Sequence, residues 1–238
     1  MRLVSFDVWN TLLDINPMLD SMAMELGDLL GICPVDAMEG ITLAREMIKG
    51  MRARGEGNPR RPLEESQELL AGLFGAGVEA VRRAAARAVL GIGSEALIPG
   101  AEETLAELKG RGLIITATGN VMFWPGSYTR LLLERFGLMR YIDGTFFADE
   151  VRAFKPLPQI FMKPLKAFDI RPEEAIHVGD TLAEDFEGAR RVGMWAVWIN
   201  PEAEGVKRMD ERGFEVPDIR AVLDVLDIAA GKPAQSSQ

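Results

Sequence analysis

The chain has 238 residues, 47% of them hydrophobic, and carries a formal net charge of −9. This hydrophobic content supports a packed core, and no apolar run approaches the roughly 18 residues of a membrane span, so we expect neither global disorder nor a membrane protein. Nucleic acid is disfavoured as a partner because its binding requires basic side chains that neutralise phosphates.

The first predicted element is a buried strand over residues 3–7, a short apolar run that ends on Asp7. The chain enters this strand directly, without a basic segment or a signal cleavage site, so we expect a cytoplasmic protein. The single cysteine, Cys33, cannot form an internal disulfide, which fits a reducing compartment. We expect Cys33 to be buried.

A helical pattern follows from residue 17 to about residue 90, with no evident strand. It contains four segments with apolar residues at helical spacing. An insertion of roughly eighty residues far exceeds an ordinary loop, so it should form a subdomain. We place this all-helical cap at residues 15–97.

Strands and helices alternate after the insertion. The predicted strands cover residues 113–118, 144–147, 175–178 and 195–199, with helices between them and a terminal helix at 219–229. This alternation predicts an α/β fold with a doubly wound parallel sheet. The predicted core comprises residues 1–14 and 98–232, and polar residues 233–238 should form a flexible tail.

Polar side chains follow several of the predicted strands. They are Asp7, Thr118, Lys155, Asp180 and Asp185. Ligands of open parallel sheets bind outside the carboxyl ends of the strands, so these side chains should meet in one site. The only histidine, His177, lies within a predicted buried strand, where a structural role is favoured over a catalytic one.

The charges of these residues predict a metal ion. Three carboxylates at one sheet edge repel each other, and burying them is costly without positive charge. Lys155 supplies one such charge. A divalent cation with oxygen ligands would supply the rest, and Mg²⁺ is the usual ion beside phosphate.

The Asp7 segment, Thr118, the Lys155-Pro156 pair and the His-Val-Gly-Asp run ending at Asp180 resemble, in this order, the four motifs of the haloacid dehalogenase (HAD) superfamily. The helical insertion also lies where that superfamily carries its cap. The resemblance therefore covers nearly the whole chain. Within the superfamily, the chain resembles the phosphatase-like branch with a helical cap. It implies a Rossmann-like α/β core with an inserted helical cap.

The resemblance also implies a role for each residue. Asp7 would be the nucleophile and form an aspartyl-phosphate, Thr118 would hold a phosphoryl oxygen, and Lys155 would stabilise negative charge. The implied Mg²⁺ ligands are Asp7, the backbone carbonyl of Trp9, Asp180 and Asp185, the last as a more distant or alternative ligand. The substrate would be a small phosphorylated metabolite.

Trp9 departs from the phosphatases of this superfamily, which carry a second aspartate two positions after the nucleophile. That aspartate protonates the leaving group, whereas tryptophan cannot exchange a proton near neutral pH. The superfamily's 2-haloacid dehalogenases also lack the second aspartate, commonly have an aromatic residue there, and use no metal. Asp180 favours the metal-dependent chemistry, so a Mg²⁺-dependent phosphatase is the first hypothesis and a dehalogenase the second.

Two further hypotheses remain open. A non-catalytic fold that binds a phosphate ligand is one, although a degenerate site has no reason to keep a costly carboxylate cluster. Phosphonoacetaldehyde hydrolases need a cap lysine for a Schiff base, and Lys49 is the only lysine of the insertion. The oligomeric state is not predicted.

The insertion also contains a group of basic residues. They are Arg45, Lys49, Arg52, Arg54, Arg60 and Arg61. A solvated helix face is one interpretation of this group. The other is that one or two of them face the core and recognise an anionic part of the substrate.

Overall fold

A computed structural model describes residues 1–230, which form a seven-stranded sheet with helices on both faces. The strands are β1 (Leu3–Phe6), β2 (Ile114–Gly119), β3 (Gly144–Phe147), β4 (Ala175–Gly179), β5 (Trp195–Ile199), β6 (Lys207–Asp210) and β7 (Gly213–Val216). The helices are α1 (Asn16–Leu30), α2 (Pro34–Ala53), α3 (Pro62–Leu73), α4 (Val78–Gly91), α5 (Ala101–Gly110), α6 (Gly126–Arg135), α7 (Ala148–Val151), α8 (Pro158–Ala167), α9 (Glu187–Arg191) and α10 (Val222–Ala229).

The sheet has the order β3-β2-β1-β4-β5-β7-β6, and only the β6–β7 pair is antiparallel. The chain therefore winds from the central β1 to both edges, which confirms the predicted doubly wound α/β fold. Strands β6 and β7 were not predicted. All four residues of β6 are exposed, so this edge strand has no apolar alternation to mark it.

Hydrophobic clusters lie on the two faces of the sheet. Leu3 of β1 packs on one face with Ile160 and Phe161 of α8 and Ala189 of α9. The neighbouring β1 residues Val4 and Phe6 belong to the larger cluster, which extends into helices α1 to α4. Burial on both faces explains why β1 is apolar except at Ser5.

Helices α1 to α4 form the long insertion between β1 and α5. Its two connections run side by side, since Leu13 and Leu97 form an antiparallel bridge. The amide of Asp14 donates to the carbonyl of Ala96 at 2.7 Å, and that of Ile98 donates to Leu12 at 3.0 Å. The predicted boundaries at 14/15 and 97/98 fall in this ribbon. That residues 15–97 form a separate cap remains a prediction.

Two other expectations meet a different result. Cys33 is exposed, because it directly precedes the first turn of α2 at the surface. The helix expected after Asp180 is instead a π-helical turn, Leu182–Phe186, followed by the short α9. The predicted tail, residues 233–238, lies outside the described residues. Among residues 1–230, no helix is both long and apolar enough to cross a membrane.

Candidate active site

The carboxyl ends of β1, β2 and β4 border a cavity with an empty volume of about 700 Å³, part of it open to solvent. Asp7 directly follows β1, and Asp180 directly follows β4. Lys155 comes from the loop before α8, and Asp185 from the π-helical turn. All four side chains line the cavity, so four of the five side chains predicted to meet share this site.

Lys155 lies at the centre of the charged group. Its side chain is 2% exposed, and its ammonium forms ion pairs with Oδ1 of Asp7 and, at 2.5 Å, with Oδ1 of Asp185. Burial disfavours the charged ammonium, but the two carboxylates outweigh this effect and keep the pKa of Lys155 above its usual value. Lys155 is therefore a fixed positive charge beside Asp7.

Asp185 is held on both carboxylate oxygens. Its Oδ1 accepts from Lys155 and lies 3.0 Å from Nε2 of His177, and its Oδ2 accepts from the amide of Thr181 at 3.0 Å. Burial opposes the charge, but Lys155 and His177 outweigh burial and keep the pKa of Asp185 at about 2. Asp185 is thus a permanent anion whose hydrogen-bonding capacity is largely used.

The negative charges of Asp7 and Asp180 are less well balanced by neighbouring donors than the charge of Asp185. Burial raises the pKa of Asp7 well above its ordinary value, although Lys155 lowers it. Burial also raises the pKa of Asp180, whose Oδ2 accepts from Nδ2 of Asn10 at 3.2 Å. Within residues 1–230, no protein donor contacts Oδ2 of Asp7. These two carboxylates keep oxygens that a cation or a substrate can use.

This donor set fits a hard divalent cation. Asp7, Asp180 and Asp185 each offer a carboxylate oxygen, and these oxygens lie within 4.8 Å of one another. Three carboxylates against one lysine leave two negative charges, which is the charge that a divalent ion neutralises. Oxygen-only ligands favour Mg²⁺ or Ca²⁺ over softer metals. Because Asp185 already accepts hydrogen bonds on both oxygens, Asp7 and Asp180 are the better placed ligands.

Thr118 lies at the end of β2 but does not line the cavity. It is fully buried, and its Oγ1 lies 3.0 Å from Oγ of Ser5 in β1. Ser5 in turn lies 3.0 Å from Nδ1 of His177. Burial lowers the pKa of His177, so the imidazole is neutral near neutral pH and links the strands rather than carrying charge. The predicted contact of Thr118 with phosphate remains a prediction.

Trp9 forms a wall of the cavity beside Asp7. Its ring meets the buried Trp124 edge to face, with centroids 5.4 Å apart and an interplanar angle of 76°. The next residue, Asn10, has a φ of 61°, a left-handed conformation that asparagine tolerates better than most residues. This turn directs the Asn10 amide to Asp180, a contact that the sequence pattern did not reveal.

Two more polar residues of the cavity were not predicted. Asn120 receives the amide of Lys155 on Oδ1 at 2.7 Å and donates to the carbonyl of Lys155 at 3.2 Å. It also donates to Oε2 of Glu184 at 2.8 Å. Asn120 therefore fixes the backbone that carries Lys155. Its position two residues after Thr118, just past the strand end, is the signal that could have identified it.

Comparisons with known proteins agree with this arrangement. A stretch of 105 residues is 42% identical to the glyceraldehyde 3-phosphate phosphatase of Pyrococcus furiosus and covers 43% of this chain and 41% of that protein. The chain thus spans about two-fifths of the length of that relative. The crystal structure of a HAD phosphatase from Thermococcus onnurineus is 28% identical, covers 98% of this chain and 99% of its own, and gives a TM-score of 0.65.

A 2-haloacid dehalogenase from Pseudomonas syringae has a TM-score of 0.66, with 96% of this chain and 99% of its own covered. At 21% identity that likeness shows the fold alone. The profile of haloacid dehalogenase-like hydrolases matches residues 1–193, which is most of the chain. Together with the converging carboxylates and Lys155, this match shows that the chain belongs to the haloacid dehalogenase-like hydrolase family.

Proposed function

We propose that this protein is a Mg²⁺-dependent phosphatase that hydrolyses small phosphate monoesters through Asp7. The observation that carries the proposal is the buried cluster of Asp7, Lys155 and Asp185 with Asp180 beside it. Its two excess negative charges are costly unless a divalent cation binds. The phosphatase names of the relatives from Pyrococcus furiosus and Thermococcus onnurineus support the same chemistry.

Asp7 acts as the nucleophile in this proposal. Lys155 holds Oδ1, which leaves Oδ2 to attack phosphorus and form an aspartyl-phosphate, while the ester oxygen leaves with the bonding electrons. Water then attacks the phosphoryl group, releases phosphate and restores the Asp7 carboxylate. Lys155 stabilises charge on the phosphoryl oxygens in both steps. When bound by Asp7 and Asp180, Mg²⁺ would supply further positive charge beside the phosphoryl group.

Trp9 limits the substrates that this site cleaves well. Its indole lines the cavity but has only an N–H donor, which does not ionise near neutral pH. Without a general acid, departure of an alkoxide is slower by about 10²- to 10⁴-fold, whereas aryl and acyl phosphates need little protonation. We therefore expect a steep dependence of turnover on the pKa of the leaving group. A flat dependence, with chemistry rate-limiting, contradicts this part of the proposal.

A 2-haloacid dehalogenase is the second candidate, and Trp9 is the observation that favours it. A halide leaves without protonation, so an apolar wall of Trp9 and Trp124 beside Asp7 suits attack on carbon. Asp180 argues against this candidate. A metal-free site has no use for a second carboxylate whose pKa is raised by burial next to the nucleophile.

The decisive experiment compares two substrates under two metal conditions. Phosphate release from p-nitrophenyl phosphate is measured with Mg²⁺ and with EDTA, and chloride release from 2-chloropropionate is measured with EDTA. Mg²⁺-dependent phosphate release that disappears in Asp7→Asn supports the phosphatase. Asp28→Asn, at an exposed aspartate of α1, is the matched control and should keep full activity.

The other outcomes identify the alternatives. Chloride release in EDTA without phosphate release contradicts the phosphatase and supports the dehalogenase. If neither activity is detected, and phosphate binds equally well to the wild-type protein and to Asp7→Asn, the result supports a non-catalytic binding protein.

A further inference from the structure

Helix α2 contributes three basic side chains to the cavity. Arg45, Lys49 and Arg52 are spaced by four and three residues, which places them on one face of the helix. All three line the same cavity as Asp7 and Lys155. Arg45 is half-buried, Lys49 is exposed and Arg52 is buried, so together they run from the outside of the cavity into its interior.

The neighbouring basic residues behave differently. Arg54 pairs with Glu56 at 2.8 Å, and Arg61 pairs with Glu68 at 2.7 Å, in both cases at the exposed surface. Within the part of the chain that the structure describes, Arg45, Lys49 and Arg52 form no ion pair. The basic group of the insertion therefore divides into a solvated set and a set that faces the cavity.

Arg52, a lining residue of the cavity, has an unsatisfied buried donor. The residue is 4% exposed, its Nη2 donates to the carbonyl of Val121 at 2.7 Å, and its guanidinium lies 5.0 Å from the centroid of the Phe154 ring. Its Nε is buried and has no acceptor among residues 1–230. A buried charged group with an unused donor is costly, and an anionic ligand oxygen would satisfy it.

The carboxylates of the cavity come from the strand ends and the π-helical turn, and its basic residues other than Lys155 come from α2. Asp7, Asp180 and Asp185 group around Lys155 at the sheet edge. Glu184 is the remaining carboxylate that lines the cavity, and its negative charge favours the charged form of Arg52. Arg45 and Lys49 form no ion pair within the described residues, and Arg45 is partly desolvated, although the charges of Glu46 and Asp180 act on it. The α2 side of the cavity therefore offers positive charge to a ligand that the sheet side holds by its phosphoryl group.

We propose that Arg45, Lys49 and Arg52 form a subsite for a second anionic group of the substrate, at the end remote from the phosphoryl group. This inference rests on the proposed phosphatase function and narrows its substrate class to phosphate esters that also carry a carboxylate or a second phosphate. The guanidinium groups suit the paired oxygens of either group. Lys49, the most exposed of the three, attracts the anion as it enters.

The test compares ligands that differ only at the remote end. Glycerol 1-phosphate, 3-phosphoglycerate and glycerol 1,3-bisphosphate carry a hydroxymethyl group, a carboxylate and a second phosphate at that position. Binding to Asp7→Asn is measured by calorimetry, so the readout does not need turnover. We expect at least one of the two doubly anionic ligands to bind about tenfold more tightly than glycerol 1-phosphate, because hydrogen bonds between charged groups add affinity. Which one does so identifies the anionic group.

Substitutions in α2 test whether its basic side chains cause this binding preference. Arg45→Gln and Lys49→Gln, each in the Asp7→Asn background, should reduce the preference several-fold, and Arg45→Lys should retain part of it. Arg54→Gln changes the net charge equally outside the cavity and should leave the preference intact. Thermal unfolding of each variant shows whether it is folded.

Two results overturn the subsite. One is equal affinity for all three ligands. The other is a preference that Arg54→Gln reduces as much as Arg45→Gln does, because it would reflect net charge alone. A wrong assignment of phosphatase activity gives a different result from a wrong assignment of the subsite. In that case the wild-type protein would not turn over p-nitrophenyl phosphate, while the binding preference would persist.

Discussion

Trp9 lies two positions after Asp7, lines the cavity and packs against Trp124. In the proposed mechanism it occupies the position of a group that could move a proton, so it is the residue that most limits the proposed chemistry. The rest of the charged cluster does not depend on Trp9, because Lys155 pairs with Asp7, and Asp185 with Lys155, from other segments of the chain. Proton transfer can therefore be changed separately from nucleophilic attack.

Trp9→Asp should restore a general acid. We expect turnover of alkyl phosphates to rise by about tenfold or more, and turnover of p-nitrophenyl phosphate to change far less, because only the alkoxide needs a proton. The measurement is kcat for both substrates as a function of pH. Trp9→Asn is the control, since it makes the same cavity without an ionisable group. If turnover of alkyl phosphates rises equally in Trp9→Asn, the cause is the extra space in the cavity and not proton transfer.

The negative charge of Asp180 is unfavourable in the folded, metal-free protein. Burial raises its pKa above the ordinary value of 3.8, so the folded protein binds this proton more tightly than the unfolded chain does. The free energy of unfolding therefore falls as pH rises above about 3.8. Near neutral pH, the ionised Asp180 destabilises the metal-free protein.

Asp180→Asn should consequently raise the melting temperature of the protein in EDTA at pH 7.5. The gain should shrink as pH falls towards 4, because a growing fraction of Asp180 in the wild-type protein is protonated. Added Mg²⁺ should stabilise the wild-type protein and have little effect on the variant. Calorimetric melting curves at both pH values test this expectation, with Asp28→Asn as the exposed control. A lower melting temperature of Asp180→Asn in EDTA would contradict it.

At the scale of elements, the connection after β4 brings Asp185 back over the strand that it follows. The π-helical turn Leu182–Phe186 directs this carboxylate towards Lys155 and His177. Gly179, the last residue of β4, makes the approach possible, because a Cβ atom there would collide with the Asp185 carboxylate. A glycine at this point is thus required by packing rather than by its backbone angles.

Gly179→Ala should therefore displace Asp185 and, through it, Lys155. We expect a loss of activity of at least tenfold and a loss of about 1–3 kcal/mol in stability, the usual cost of overpacking. Gly110→Ala is the matched control, since nothing lies within 4 Å of its added methyl group and helix propensity favours alanine by up to about 1 kcal/mol. The measurements are urea unfolding and steady-state kinetics. Full activity in Gly179→Ala would show that Asp185 does not position Lys155.

At the scale of the whole molecule, α2 and α3 dock on the loop that follows β2. Arg52, Ser66 and Gln67 donate to the consecutive carbonyls of residues 121–123. This docking places the α2 face over the carboxylate cluster. The ribbon at Leu13 and Leu97 is the covalent connection, so we expect the helical segment to open about it when the docking contacts break.

Gln67→Leu should weaken the docking. The variant leaves the carbonyl of Phe123 without its donor at 3.0 Å and Arg82 without its acceptor, at a cost of about 1–3 kcal/mol. We expect a higher KM, faster proteolysis of the 12–14 and 96–98 connections, and a larger radius of gyration by small-angle scattering. Gln159→Leu, at an exposed position of α8, is the control. Unchanged scattering and proteolysis in Gln67→Leu would show that this contact does not hold the segment closed.

The elements themselves were largely predictable. Strands β1 to β5 and helices α1 to α4 show clear apolar periodicity, because each buries a face or a whole strand in the core. The β6–β7 hairpin escaped prediction because β6 is exposed at the sheet edge. Cys33 was placed wrongly because it directly precedes the first turn of α2, at a surface position that its residue type does not reveal.

The sequence by itself determined the order of strands β1 to β5 and of helices α1 to α4, and the position of Asp7 and Asp180 beside strand ends. These follow from local periodicity and from the geometry of a parallel sheet. Only the tertiary structure decided how the side chains are used. The link from Thr118 through Ser5 to His177 joins residues more than 100 positions apart. The division of the basic group depends on the rotation of α2 against the core. Such contacts are set by packing between distant segments, which no local pattern records.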